Sequence, residues 1–287
     1  MRALWIAIGL LAGTARADPA IWRVSSDDAG ELWLLGSVHY LREQDYPLPA
    51  VIDALYERAD VLVMELDLDD LDPLSVQTQF MRSAMLPAAQ TLSDVIPADL
   101  YASSEAAAAK LGLELSAFAK FEPWLVALTL MDLGMADLGY RSDRGIEQYL
   151  LKRSTRDGKP VYGLETLADQ ITVFDALEMP KQQALLAQTL QDMRSSAHDM
   201  DALLTAWRAG RLTELAADLS ASFELFPELY EALVIERNSR WLTELERLLA
   251  RRDRALVIVG ALHLVGANNV VDSLRERGFS VEPYAAP

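Results

Sequence analysis

Ala255-Leu256-Val257-Ile258-Val259-Gly260-Ala261-Leu262-His263 is the stretch that decides the fold. A short, continuously apolar run rich in β-branched residues suits a strand buried on both faces. Glycine directly after it lets the chain leave the strand sharply and lets another group approach its backbone. The same frame recurs near the other end of the chain, where Leu32-Trp33-Leu34-Leu35 runs into Gly36-Ser37-Val38-His39. Glycine is 14 of 287 residues, so about 5% of histidines would have one three places earlier by chance. With only 3 histidines present, finding two in this frame by accident has a probability under about 1%. The pair therefore anchors the reading of everything between them.

Outward from the first motif, Ile21–Ser25 and residues 31–35 read as a β-hairpin turning at Asp27-Asp28-Ala29-Gly30. Residues 49–59 place Val51, Ile52, Leu55 and Tyr56 at helical spacing, and Val61-Leu62-Val63-Met64 follows as a strand closed by Glu65. A helix over 143–152 precedes a strand over 160–164, closed by Glu165. Beyond the second motif come a helix over 268–277, Gly278 as its stop, and a last strand over 279–282. The stretches at about 70–140 and 168–250 are helical, broken by prolines and Gly210. The expected fold is α/β (or α+β), a mixed central sheet flanked by helices, with those two stretches as insertions into a single domain over 18–287.

The first 17 residues are organised as an export signal, with Arg2 at the start, an apolar core over 3–13 and the small residues of Ala15-Arg16-Ala17 at the cleavage position. An apolar run of about 11 residues is too short for a bilayer span, which takes about 20. The mature chain is expected to begin at Asp18, to have no stable membrane insertion and, in a double-membrane bacterium, to be periplasmic. Cysteine is absent, so disulfides and thiolate metal sites are excluded and any metal must be held by nitrogen and oxygen. Lys and Arg number 26 against 43 Asp and Glu, a net charge of −17. Loss of Arg2 and Arg16 with the leader makes the chain more negative still. Such a surface repels phosphate backbones and anionic lipid, which excludes nucleic acid as a partner and leaves a peptide or small-molecule substrate. Nothing in the sequence sets an oligomeric state.

Short apolar strands alternating with helices imply a partly parallel sheet, whose ligand sites lie beyond the carboxyl ends of the strands. His39, Glu65, Glu165 and His263 all occur at such ends and are expected to meet on one rim. Two imidazoles and two carboxylates suit a divalent ion such as Mn²⁺, Co²⁺ or Zn²⁺, which with open positions would acidify a water and polarise a carbonyl. One carboxylate can instead serve as general base. The plainer alternative is a pair of hydrogen-bonded histidines at the core edge beside solvated glutamates. His198, in a polar helical stretch, is expected on the surface.

Gly36-Ser37-Val38-His39, Glu65, Gly163-Leu164-Glu165-Thr166, Glu236-Arg237-Asn238 and Val259-Gly260-Ala261-Leu262-His263-Leu264-Val265-Gly266 together resemble the TraB/GumN family, which includes the animal Tiki proteins. The resemblance runs over nearly the whole mature chain and is strongest at its two ends. It implies a metal-dependent, peptidase-like hydrolase, Mn²⁺- or Co²⁺-dependent in the animal relatives, which trim an extracellular signalling protein. His39 and His263 then become the leading metal or catalytic residues, with Glu65 next and Glu165 matching the family's Gly-Leu-Glu-Thr pattern. Arg237 and Asn238 match its Arg-Asn pair, the arginine serving either to stabilise an oxyanion or to pair with the rim carboxylates. Gly145-Ile146-Glu147 resembles a Gly-aliphatic-Asp element, with Glu147 one methylene longer than the ligand it would replace. Two other classes share this layout: periplasmic iron- or haem-binding proteins, and metal-free esterase-like hydrolases with a histidine base.

Overall fold

Six strands form one mixed sheet in the order β4-β3-β5-β2-β1-β6. They are β1 (Ile21–Ser25), β2 (Glu31–Ser37), β3 (Val61–Leu66), β4 (Val161–Glu165), β5 (Ala255–Gly260) and β6 (Ser280–Pro283). Strands β4, β3, β5 and β2 are mutually parallel, while β1 returns antiparallel to β2 and β6 runs antiparallel to β1. The structure is a computed structural model that describes residues 19–26, 30–67, 72–193, 197–221, 223–224 and 227–284. The leader expected over 1–17 and residues 27–29 of the hairpin turn lie outside the described residues.

The two apolar runs that frame the sequence are neighbours at the centre of this sheet. β5 is buried along its whole length, as is β2 after Glu31. Their register sets Gly36 opposite Val259 and Ser37 opposite Gly260. Both Gly-x-x-His loops therefore leave the sheet at the same level from adjacent parallel strands. This pairing carries β2 two residues past the expected end at Leu35. Likewise, Glu65 lies inside β3 rather than closing it, because the strand runs on to set Leu66 opposite Glu165.

Helix α1 (Ala50–Arg58) crosses from β2 to β3. The first insertion holds α2 (Pro73–Ser83), α3 (Leu92–Val95), α4 (Ala98–Lys110) and α5 (Pro123–Asp137), and α6 (Ile146–Asp157) leads from it into β4. The second holds α7 (Leu167–Asp175), α8 (Met179–Asp192), α9 (Ala197–Arg208), α10 (Leu212–Ala221), α11 (Pro227–Tyr230), a π turn (Glu231–Ile235) and α12 (Glu236–Arg251). Helix α13 (Val270–Glu276) lies between β5 and β6.

The insertions divide between two buried clusters. Trp124 and Leu130 of α5 and Leu186 of α8 belong to a core of their own, whereas Leu204, Trp207, Leu215 and Trp241 of α9, α10 and α12 join the core around the sheet. Trp207 also donates its indole N–H to the Gly36 carbonyl at 2.6 Å, tying α9 to the first motif. The apolar helix α5 buries Trp124, Val126, Ala127 and Leu130 against protein. Among the described residues, no helix is long and apolar enough to cross a membrane.

Candidate active site

At the carboxyl end of the parallel strands the space left by the missing Gly260 side chain is a cradle. A Cβ placed there would meet His39 Nε2 at 3.0 Å, Glu65 Oε1 at 3.4 Å and His263 Cδ2 at 3.6 Å. The glycine of the second motif thus admits the histidine of the first. Its own N–H donates to Glu65 Oε1 at 2.8 Å, fixing the carboxylate against the strand end.

His39 is set by α6. The would-be Cβ of Gly145 lies 2.3 Å from the His39 carbonyl oxygen, so only glycine lets the start of α6 dock on this loop. Ile146 then donates its N–H to the Val38 carbonyl at 3.2 Å. Glu147 follows in the first turn of α6, where a helix favours negative charge. Its carboxylate faces His39 Nδ1 at 2.9 Å and accepts the Ser37 hydroxyl. The His39 side chain is 53% exposed. The Glu147 charge raises the imidazole against the opposing effect of desolvation, to about 9. Burial pushes the Glu147 carboxyl up, but the His39 charge and the hydrogen bonds from His39 and Ser37 outweigh it and hold it low.

His263 has the opposite surroundings. Its side chain is 7% exposed and its ring lies 4.4 Å from that of Trp241. Asn238 Nδ2 donates to the Asn268 carbonyl at 3.0 Å, which leaves its amide oxygen to face His263 Nδ1 at 2.7 Å. Nδ1 therefore carries the proton and Nε2 the lone pair, towards which Arg237 Nη1 points at 3.3 Å. Burial lowers this imidazole to about 3, with the Arg237 charge adding to the effect and Glu65 opposing it.

Arg237 is the hub of the remaining contacts. It donates through Nη2 to Glu65 Oε2 at 2.6 Å, and through Nη2 and Nε to Glu165 at 2.6 and 3.2 Å. Trp241, one turn along α12, donates to Glu165 Oε2 at 3.2 Å, and its ring lies 4.7 Å beneath the guanidinium. Burial drives the Glu65 carboxyl up, yet Arg237, His263, His39 and the Gly260 N–H together hold it at about 2. The π turn immediately before α12 belongs to a class of helix widening often found at functional sites.

Of the rim residues named from the sequence, Glu65, Glu165 and His263 are joined through Arg237, with Asn238 on His263, and among the described residues His39 reaches them only at the Gly260 cradle. Of the two roles considered for Arg237, pairing with the rim carboxylates is the arrangement found. Glu165 is committed to Arg237 and Trp241, and Glu147 to His39 and Ser37. His198 lies in α9, with its side chain outside what is described. From the sequence Trp241 reads only as a packing residue, and Ser37 only as a member of the first motif. Trp241 follows Arg237 by four residues, which puts both on one helix face, whereas Ser37 carried no signal apart from its place inside the first motif.

Among the described residues, no group of three or more metal-binding side chains is gathered ready to hold an ion. The donors at the cradle are nitrogen and oxygen, the types a divalent cation takes: His39 Nε2 and Glu65 Oε1 face it and the His263 ring borders it, while Arg237 already supplies the positive charge beside Glu65 and Glu165.

The model of the TraB/PrgY/gumN family matches residues 20–283. The chain is 29% identical over 276 residues to Uncharacterized protein YbaP of Escherichia coli (strain K12), covering 96% of this chain and 98% of that protein. It is 30% identical over 243 residues to the YbaP of Shigella flexneri, covering 84% and 87%. Metalloprotease TIKI1 of Danio rerio is 23% identical over 313 residues, covering 91% of this chain and 62% of TIKI1. No solved structure matches significantly.

Proposed function

The chain belongs to the TraB/PrgY/gumN family, and from that premise we propose that it is an exported, metal-dependent hydrolase of peptide bonds. The observation that carries this reading is the matched presentation of the two histidines. Each has its Nδ1 against a side-chain oxygen, that of Glu147 or of Asn238, which turns Nε2 towards the site, where the Nε2 of His263 meets Arg237 Nη1 at 3.3 Å. Imidazole ligands are commonly oriented in this way, by a partner on the nitrogen that does not bind the metal. The likeness to a protein named as a metalloprotease supports the class of reaction.

His39 and His263, through Nε2, and Glu65 would hold the ion, of the Mn²⁺, Co²⁺ or Zn²⁺ class on donor type, with Arg237 Nη1 giving up His263 Nε2 to it. Once bound, it would supply Lewis-acid polarisation of the scissile carbonyl and a nucleophile at neutral pH. Glu147 and Asn238 keep the two rings in register. Glu165 and Trp241 hold Arg237, and Arg237 holds Glu65. His39 must give up the proton that its pairing with Glu147 retains up to about pH 9, so loading is favoured as the pH rises.

The His39–Glu147 pair also supports a second reading, a metal-free hydrolase with His39 as the proton-transferring group. With its ring raised to about 9, His39 is protonated at neutral pH and is better suited to act as acid than as base. Cleavage of a quenched-fluorescence peptide library by the mature chain separates the two. Activity restored by Mn²⁺ or Co²⁺ after chelation, and lost in both His39→Ala and His263→Ala, is expected. Cleavage unchanged by exhaustive chelation would reject the metal reading in favour of the second, and absence of cleavage with every added metal would reject hydrolysis.

A further inference from the structure

The sheet has two edges, and they are built differently. β6 is a four-residue strand that ends in Pro283 and turns Ser280 and Glu282 to solvent. Shortness, charge and proline are the usual devices against unwanted strand pairing. β4 ends instead in the buried site residue Glu165, and a cavity of about 470 Å³ lies along it.

The backbone of β4 is oriented for a further strand. Leu62 donates its N–H to the Pro160 carbonyl at 2.9 Å, and the parallel register then turns Tyr162 and Leu164 towards β3. The N–H and C=O groups of Val161 and Gly163 and the N–H of Glu165 consequently face away from the sheet, while the Glu165 carbonyl bends back to 2.8 Å from where a Gly163 Cβ would stand as the strand ends. The cavity has apolar walls at Leu164 and Leu248, and Tyr162 is 39% exposed with the Arg251 guanidinium 5.6 Å from its ring. The carboxylates of the lining are Asp67, Glu165, Asp169, which accepts from Thr166, and Glu244, which pairs with Arg247 at 2.7 Å, so the lining carries an excess of negative charge over Arg251.

The geometry points to the β4 edge as the substrate-docking strand: an extended peptide segment bearing basic side chains adds to the sheet beside β4 and is led along the rim to the cradle at Gly260. Backbone pairing supplies affinity, and the lining selects alternate side chains. Three strand spacings, about 14 Å, separate the added strand from β5, a distance covered by about four extended residues. The inference rests on the peptide-hydrolase reading for its destination, but docking itself requires neither metal nor turnover.

The test follows amide hydrogen exchange at Val161, Gly163 and Glu165 in the full mature chain, without metal, with and without a capped octapeptide of alternating lysine and valine. About tenfold or greater protection of these amides is expected on binding. N-methylation of alternate peptide residues should weaken binding about tenfold or more in one register and be tolerated in the other. The glutamate–valine counterpart should bind more weakly, and Tyr162→Ala and Glu244→Lys should each weaken the lysine peptide. His39→Ala should still bind it, so failure of the hydrolase reading is distinguishable from failure of docking. Absence of binding below about 1 mM would overturn the proposal, as would binding that leaves the three amides unprotected or ignores N-methylation in both registers.

Discussion

The two Gly-x-x-His motifs are alike in sequence and opposite in surroundings. His39 is half open, paired with a carboxylate and raised to about 9, whereas His263 is buried, faced by a guanidinium and an amide and lowered to about 3. The common tetrapeptide sets only where each loop leaves its strand. What each ring does is decided by a partner distant in sequence, Glu147 from α6 for one and Asn238 with Arg237 from α12 for the other. Similar frames therefore give one open, charged ring and one buried, neutral ring at the same cradle.

This asymmetry is most severely tested at Arg237. Removing it leaves the buried carboxylates Glu65 and Glu165 without their cation, and breaking such a pair from one side costs about 3–5 kcal/mol. Arg237→Ala should lower the unfolding free energy from denaturant titration by that amount, while Glu147→Gln, on the more open side, should lower it much less. Equal losses would show that the two halves are not energetically distinct.

The orienting partners come next. Glu147→Gln and Asn238→Ala should each weaken Mn²⁺ binding about 10–100-fold, as measured by calorimetry. Gly260→Ala should also impair binding, because its methyl group would stand 3.0 Å from His39 Nε2 and 3.4 Å from Glu65 Oε1. A variant that binds metal as well as the wild type would contradict the cradle as the meeting point.

Smaller effects appear in the pH dependence of stability, where the two histidines act in opposite directions. The folded state retains a proton on His39 up to about 9 against an ordinary 6.5, so its stabilisation is complete below 6.5 and is lost as the pH rises towards 9. His263 resists protonation until about 3, so its contribution is complete above 6.5 and is lost as the pH falls towards 3. Denaturant titrations should show a flatter alkaline limb for His39→Ala and a flatter acid limb for His263→Ala. NMR titration of the ring protons checks the same assignments directly.

Much of the sheet was legible because β2 and β5 are continuous apolar runs, which only a doubly covered central strand accommodates. The convergence of His39, Glu65, Glu165 and His263 followed from the parallel order alone. The helical insertions were less legible, since amphipathic spacing shows that a helix packs without showing against what. The split of α8 into a second core and of α9, α10 and α12 back to the sheet comes from tertiary packing. For the same reason Trp241 read as a packing residue, and its indole N–H bond to Glu165 depends on a strand 76 positions away. Strand ends were misjudged at Leu35 and Glu65 because pairing with neighbouring strands, not local composition, extends β2 and β3.

The central claim, that two unlike histidines serve one ion, is tested most directly by the metal stoichiometry of the folded chain from Asp18 onward and of the single variants His39→Ala and His263→Ala after equilibration with Mn²⁺. One ion per chain is expected in the wild type, with loss of stoichiometric binding in each variant. A folded wild type that takes up no Mn²⁺, Co²⁺ or Zn²⁺, or a full complement retained when either histidine is removed, would contradict it.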